Sequence, residues 1–157
     1  MGKGPIPSLA QRPAERDYQA GVIEPAVAMP APGTIDPATA RTLAAITAEA
    51  SRAHSAFATS AARAAELVKA ARGTPADSEA RSGADAALAA MASARSETAV
   101  PMADCDALLA TTALAASDGK ADAIAAWPAL TALSQRLGAM VSEEDARIAA
   151  LEQELRS

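Results

Sequence analysis

Alanine makes up about three tenths of this chain, whereas phenylalanine, tryptophan and tyrosine occur once each, at Phe57, Trp127 and Tyr18. Alanine is the best helix former because it loses no side-chain entropy when the backbone is ordered. Its methyl group buries little apolar surface, so alanine-rich helices must pack closely around a thin core. Because ligand pockets are lined mainly by large apolar and aromatic side chains, this composition favours a helical protein without a deep binding cavity.

Prolines are concentrated in the first quarter of the chain, which holds seven of the ten. Each proline removes a backbone donor and disfavours helix in the residue before it. Residues 1–35 are therefore predicted to form an extended arm. Spaced apolar residues in this arm are predicted to contact other proteins, and they are Ile6, Leu9, Tyr18, Val22 and Ile23.

Helix-start signals divide the rest of the chain, residues 36–157. Asp36-Pro37 and Thr74-Pro75 each place a capping side chain before a proline, which suits the first helical position. Apolar and small residues then recur at heptad spacing from Leu43 to Ala71. The predicted helices span approximately 36–72, 74–98, 101–117 and 120–157, with an alternative break near 138–142. The predicted fold is all-α, with three to five helices in a bundle or an extended coiled-coil-like array behind the arm.

The last predicted helix carries an apolar stripe that runs almost to Ser157, with Ser134 and Glu144 as polar interruptions. An unpaired carboxylate is costly to bury, so Glu144 limits the strength of this stripe. The stripe is predicted to contact either the first helix or a partner helix, through Leu137, Val141, Ile148, Leu151 and Leu155.

Charge is distributed unevenly along a chain whose net charge is −5. The negative sign argues against nucleic acid as a partner, because phosphate binding requires clustered Lys and Arg. Residues 40–72 carry five basic and two acidic residues, whereas residues 101–126 carry four acidic and one basic. Three interpretations stay open: the two segments pair with each other, each faces a partner of opposite charge, or both are simply solvated.

No motif supports catalysis, so the sequence predicts a protein that is not an enzyme and has no cofactor or metal. His54 has no Cys, His or carboxylate at metal-ligand spacing, and we interpret it as a surface or seam residue. Cys105 lies between two aspartates that disfavour the thiolate, which indicates a buried apolar side chain. The segment 118–120 matches neither a calcium loop nor a phosphate loop and is predicted to be a turn. The sequence also predicts no membrane span and no signal peptide.

The chain begins with an arm that contains Pro5-Ile6-Pro7-Ser8-Leu9 and continues as helices from Asp36. This organisation resembles that of small virion proteins of tailed bacteriophages, in the tail or internal class. The resemblance implies a multi-copy, non-enzymatic structural subunit whose arm contacts neighbouring subunits, located in the virion. Self-association and binding to other protein subunits are expected of such a protein. The alternatives are a soluble helical adaptor in the cytoplasm, a secreted helical effector or, least favoured, an enzyme.

Overall fold

A computed structural model describes residues 33–157, and the predicted arm contacts from Ile6 to Ile23 lie outside this part of the chain. Three helices follow one another, α1 (Pro37–Ala71), α2 (Glu79–Ser117) and α3 (Ala121–Arg156). Each helix packs against the other two. Residues 33–157 contain no strand, so the all-α prediction is confirmed for them.

The start of α1 is the one that the sequence predicts. The Asp36 carboxylate accepts a hydrogen bond from the backbone N–H of Thr39 at 2.9 Å, and Pro37 occupies the first turn. The start of α2 lies about one turn later than predicted, because Ser78 caps it by accepting a hydrogen bond from the backbone N–H of Arg81 at 3.2 Å. A serine hydroxyl satisfies one of the free N–H groups of the first turn, and this fixes the beginning of α2.

The chain runs as one helix through Pro101, where the sequence predicted two helices at 74–98 and 101–117. A proline inside a helix removes one hydrogen bond and crowds the preceding turn. Pro101 is fully buried, so packing against the other helices offsets this local cost. Likewise α3 is unbroken through Gly138, and no break occurs near 138–142. Its neighbour Leu137 is buried in the bundle, which holds the helix together there.

Two clusters of buried side chains form the interior of the bundle. The first, which we name the Phe57 core, contains Phe57, Ala61, Ala64, Val68, Ala71, Ala84, Ala87, Leu88, Met91, Leu151 and Leu155. The second, the Ile46 core, contains Ile46, Ala50, Cys105, Leu133 and Leu137.

The buried stripe of α1 follows the predicted heptad to the end of the helix, where Ala64 and Ala71 are buried as predicted. Two predicted positions differ: Ser60 and Leu67 are half-buried, and their neighbours Ala61 and Val68 are buried instead. A helix has 3.6 residues per turn, so a strict 3.5-residue repeat matches its buried side only approximately.

Candidate functional site

One side chain from each helix meets the others between the two cores, forming what we name the polar cluster: His54 from α1, Thr98 from α2 and Glu144 from α3. Glu144 Oε1 lies 2.9 Å from His54 Nδ1 and accepts a hydrogen bond from Thr98 Oγ1 at 3.2 Å. When Glu144 is ionised its oxygens only accept hydrogen bonds, and His54 Nδ1 is then the donor in this contact. Thr98 and Glu144 are fully buried, whereas the His54 side chain is 40% exposed.

The polar cluster fixes how the three helices are aligned. Within residues 33–157 Glu144 Oε2 has no hydrogen-bond partner, so all the hydrogen bonds of this buried carboxylate are made by Oε1, and the neighbouring charge of Arg95 adds to them. Sliding α3 by one residue would separate Glu144 from both donors and leave an uncompensated charge, which costs several kcal/mol in a protein interior. Buried polar groups of this kind set helix register at some expense of stability. The cluster therefore positions the helices and divides the Phe57 core from the Ile46 core.

Sequence reasoning missed this cluster because His54 and Glu144 are 90 residues apart. From the sequence alone, His54 is a surface or seam residue and Glu144 is an interruption of an apolar stripe. The signal that points to the cluster is a carboxylate on one apolar stripe, Glu144, together with the chain's single histidine next to the apolar stripe of another helix. Within residues 33–157 no three His, Cys, Asp or Glu side chains are grouped closely enough to hold a metal ion.

An ion pair on the surface joins α2 to α3 beside the polar cluster. The Arg95 guanidinium donates two hydrogen bonds to Asp145, from Nε to Oδ1 at 2.6 Å and from Nη2 to Oδ2 at 2.8 Å. These hydrogen bonds lower the pKa of the Asp145 carboxyl, and the charge of Arg95 adds to the effect. The pKa of Arg95 is raised by the same hydrogen bonds and further by the neighbouring charges of Asp145 and Glu144.

Cys105 and the segment 118–120 have the structural roles that the sequence predicts. Cys105 is buried in the Ile46 core. Burial raises the pKa of its thiol, and the nearby charge of Asp106 raises it further. The turn between α2 and α3 contains Gly119, whose φ of +79° lies in the region that glycine adopts without strain.

Three residues of the predicted C-terminal contact stripe are covered within their own chain. Leu137 belongs to the Ile46 core, and Leu151 and Leu155 belong to the Phe57 core. Val141 and Ile148 are half-buried. Helices α1 and α2 thus cover most of the stripe, so the predicted partner helix is not needed to bury Leu137, Leu151 and Leu155.

The second half of α2 exposes some of its apolar side chains, although Cys105 is buried and Met102 and Leu108 pack against the Ile46 core. Leu114 is 69% exposed and Val100 is 55% exposed. Between them, residues at spacings of three and four lie on the same side of the helix. We name this surface the α2 apolar face, and it consists of Val100, Ala103, Ala107, Ala110 and Leu114, all exposed.

A second group of apolar residues lies where α2 meets α3. Trp127 is 39% exposed, and it borders an open hollow of about 300 Å³. Tryptophan is among the residues that contribute most to binding at protein interfaces. The hollow is lined by Ala113, Ala116, Ile124, Trp127 and Pro128.

In the described part of the chain, α2 is the one helix long and apolar enough to cross a membrane by length and composition. The core helix of a soluble protein passes the same test, but such a helix is mostly buried. Here only 17% of the 18-residue apolar window is buried in the bundle. Most of this apolar window therefore lies outside the fully buried interior, at half-buried or exposed positions.

A basic surface runs along α1. Arg41, Arg52 and Arg63 are exposed and follow one another at intervals of three helical turns, which places them on one side of the helix. We name them the α1 basic face. Arg52 pairs with Glu49 on its own helix, and Arg72, beyond the end of α1, pairs with Glu154.

The charge segments that the sequence singles out do not pair within one bundle. Across residues 33–157, no ion pair joins a basic residue of 40–72 to an acidic residue of 101–126. Of the three interpretations, intramolecular pairing is therefore not found. The two that stay open are a partner of opposite charge and simple solvation.

Comparison with known proteins gives no relative from which a function could be transferred. No protein-family model, no curated protein and no solved structure matches this chain.

Proposed function

We propose that this protein is a non-enzymatic structural subunit of a larger assembly and that the α2 apolar face is one of its contact surfaces. The observation that carries the proposal is the exposure of Leu114 and Val100 on one side of a helix whose apolar window is mostly outside the core. Contiguous apolar surface on a folded domain marks a site of interaction, whereas isolated apolar residues do not. Trp127, near the end of this face in the α2–α3 corner, adds a side chain typical of interfaces.

The partner that fits this surface is a protein. Residues 96–119 contain no Lys or Arg, and Asp104 and Asp106 lie on either side of the apolar face. Helices that bind membrane surfaces carry Lys and Arg, which the anionic head groups attract. A carboxylate in the bilayer interior is costly. A protein partner with basic groups at its rim satisfies both the apolar residues and the aspartates.

The thin core supports the same proposal. Nine of its twenty buried apolar residues are alanines. Alanines bury little apolar area, and small cores give marginal stability. Binding to neighbouring subunits stabilises such a domain by mass action. We further propose that the assembly is a bacteriophage particle or tail, on the basis of the resemblance in organisation, with the arm residues Ile6, Leu9, Tyr18, Val22 and Ile23 as additional contacts.

Sedimentation of lysates from the source cells through a density gradient tests this proposal. We expect the full chain to migrate with fast-sedimenting particles. The double substitution Val100→Asp/Leu114→Asp should move it to the position of free protein, because two charges would be buried in the contact. Ala132→Asp/Ala139→Asp, on the exposed side of α3, is the matched control and should leave the particle fraction unchanged. Wild-type protein found only at the position of a free monomer would contradict the proposal and favour the adaptor.

A further inference from the structure

We infer that the α2 apolar face of one copy of this chain packs against the α1 basic face of a second copy. This inference rests on the proposed function and names the partner of the same surface. Its basis is charge complementarity between two faces that do not pair with each other within one bundle, where Arg52 pairs only with Glu49 of its own helix. Each set of charges is exposed, and no ion pair joins the two within residues 33–157.

The α2 apolar face has an acidic rim. Asp104 and Asp106 are two residues apart, so they project to opposite sides of the helix and flank the line from Val100 to Leu114. Both are exposed. Asp118, at the end of α2, continues the acidic rim beyond Leu114. A partner surface must therefore combine an apolar centre with basic side chains at its edges that reach the aspartates of the acidic rim.

The α1 basic face has this combination. Exposed alanines, including Ala45, Ala48 and Ala56, lie between its arginines, together with the small polar residues Ser55 and Thr59 and with Glu49, the partner of Arg52. Alanine surfaces allow the backbones of two helices to approach closely, toward about 8 Å. The methylene stems of the arginines cover apolar surface while their guanidinium groups reach outward. A guanidinium binds a carboxylate through two parallel hydrogen bonds, so Arg52 and Arg63 can bind the aspartates of the rim.

A contact between two copies of the α2 apolar face fits less well. Such a twofold contact would bring Asp104 and Asp106 of both copies together, and like charges across an interface are strongly unfavourable. Pairing of α2 with α1 joins unlike surfaces instead. Because every copy carries both surfaces, the contact is head-to-tail and does not close at a dimer. It produces a ring or a growing chain of subunits, as a structural protein requires.

Charge reversal and its rescue test this arrangement on the purified full chain by sedimentation velocity. We expect concentration-dependent oligomers of the wild-type chain. Asp104→Arg/Asp106→Arg should weaken association at least about a hundredfold, because attraction becomes repulsion. Arg52→Asp/Arg63→Asp should do the same. An equimolar mixture of the two variants should assemble again, since each reversed face then meets its opposite.

Two controls separate the contact from folding. Circular dichroism should show the same helix content for every variant, since all four positions are exposed. Arg136→Asp/Arg147→Asp changes as much charge on exposed positions of α3 and should leave association unchanged.

Three results would overturn the inference. They are a wild-type chain that stays monomeric at all concentrations, association that survives both reversals, and loss of association that mixing does not restore. In each case, migration of the wild-type chain with particles in the lysate gradient would still support the proposed function. A chain absent from particles would instead contradict the proposed function itself.

Discussion

At the end of the bundle that holds the Phe57 core, the large side chains of Phe57, Met91 and Leu151 are buried, whereas at the opposite end Val100 and Leu114 remain at the surface. The two ends are built from the same three helices and are similarly rich in alanine. They differ in where each helix places its few large apolar residues. At the Phe57 end these residues stabilise the fold, and at the Ile46 end Val100, Leu114 and Trp127 remain exposed.

The polar cluster lies at the boundary between these two regions. His54, Thr98 and Glu144 each fall between residues of the Phe57 core and residues of the Ile46 core along their own helices. A buried carboxylate with one donor from each of two other helices sets the helix alignment at this point. Val100, the first residue of the α2 apolar face, follows Thr98 by two residues, so the cluster lies next to the beginning of that face along α2.

The largest effect is expected from Phe57→Ala. Removing a buried aromatic side chain loses apolar burial and leaves a cavity, which lowers the free energy of unfolding by about 3–5 kcal/mol. Urea denaturation followed by circular dichroism measures this loss. A cost of less than about 1 kcal/mol, the range of tolerated surface changes, would show that the Phe57 core does not hold the fold together.

The next effect tests the polar cluster. His54→Ala removes a donor from buried Glu144, and we expect a loss of about 1–3 kcal/mol. Adding Glu144→Leu should recover most of that loss, because an apolar side chain of similar size leaves no carboxylate to compensate. Thermal and urea unfolding of both variants measure the difference. If the double variant is less stable than His54→Ala alone, the stability lost in His54→Ala does not come from leaving the Glu144 carboxylate unpaired.

A smaller effect comes from the Arg95–Asp145 ion pair, and it depends on pH. The pKa of Asp145 is lowered in the folded state, so its carboxylate stabilises the fold above its unfolded pKa. That contribution is lost as the pH falls through the lowered folded pKa. Because both side chains are partly solvated, Asp145→Asn should cost less than about 1 kcal/mol at neutral pH. Urea denaturation should show that the unfolding free energies of the wild-type chain and Asp145→Asn become equal at acid pH. A difference that grows as the pH falls would show that the stabilisation does not come from the Arg95–Asp145 ion pair.

The smallest effect on stability is expected from Leu114→Ala. Leu114 contributes to the surface, so the free energy of unfolding should change by less than about 0.5 kcal/mol. The same substitution should weaken self-association, because it removes the largest apolar side chain of the α2 apolar face. Unfolding and sedimentation measured on the same samples separate the two effects. A large loss of stability without a change in association would place Leu114 with the core instead.

Local sequence signals were sufficient for the features that one helix determines by itself. Asp36-Pro37 marks the start of α1, and the heptad identifies its buried stripe through Ala71, with Ser60 and Leu67 as the positions that differ. Pro101 predicts a helix boundary that the structure does not have, because burial against the other helices offsets the backbone hydrogen bond that the proline removes. A single sequence does not show that packing. The contact of His54 with Glu144 depends on the alignment of α1 with α3. For the same reason the sequence did not show which leucines of α2 face outward.

Sedimentation velocity of the purified full chain over a wide range of concentrations is the most direct test of the central claim, that one end of this bundle is kept for contact with another copy. The head-to-tail pairing of the α2 apolar face with the α1 basic face predicts species larger than a dimer as the concentration rises. It also predicts that added salt weakens them, because the rim contacts are charged. A chain that remains monomeric throughout, or that stops at a salt-insensitive dimer, would contradict the account.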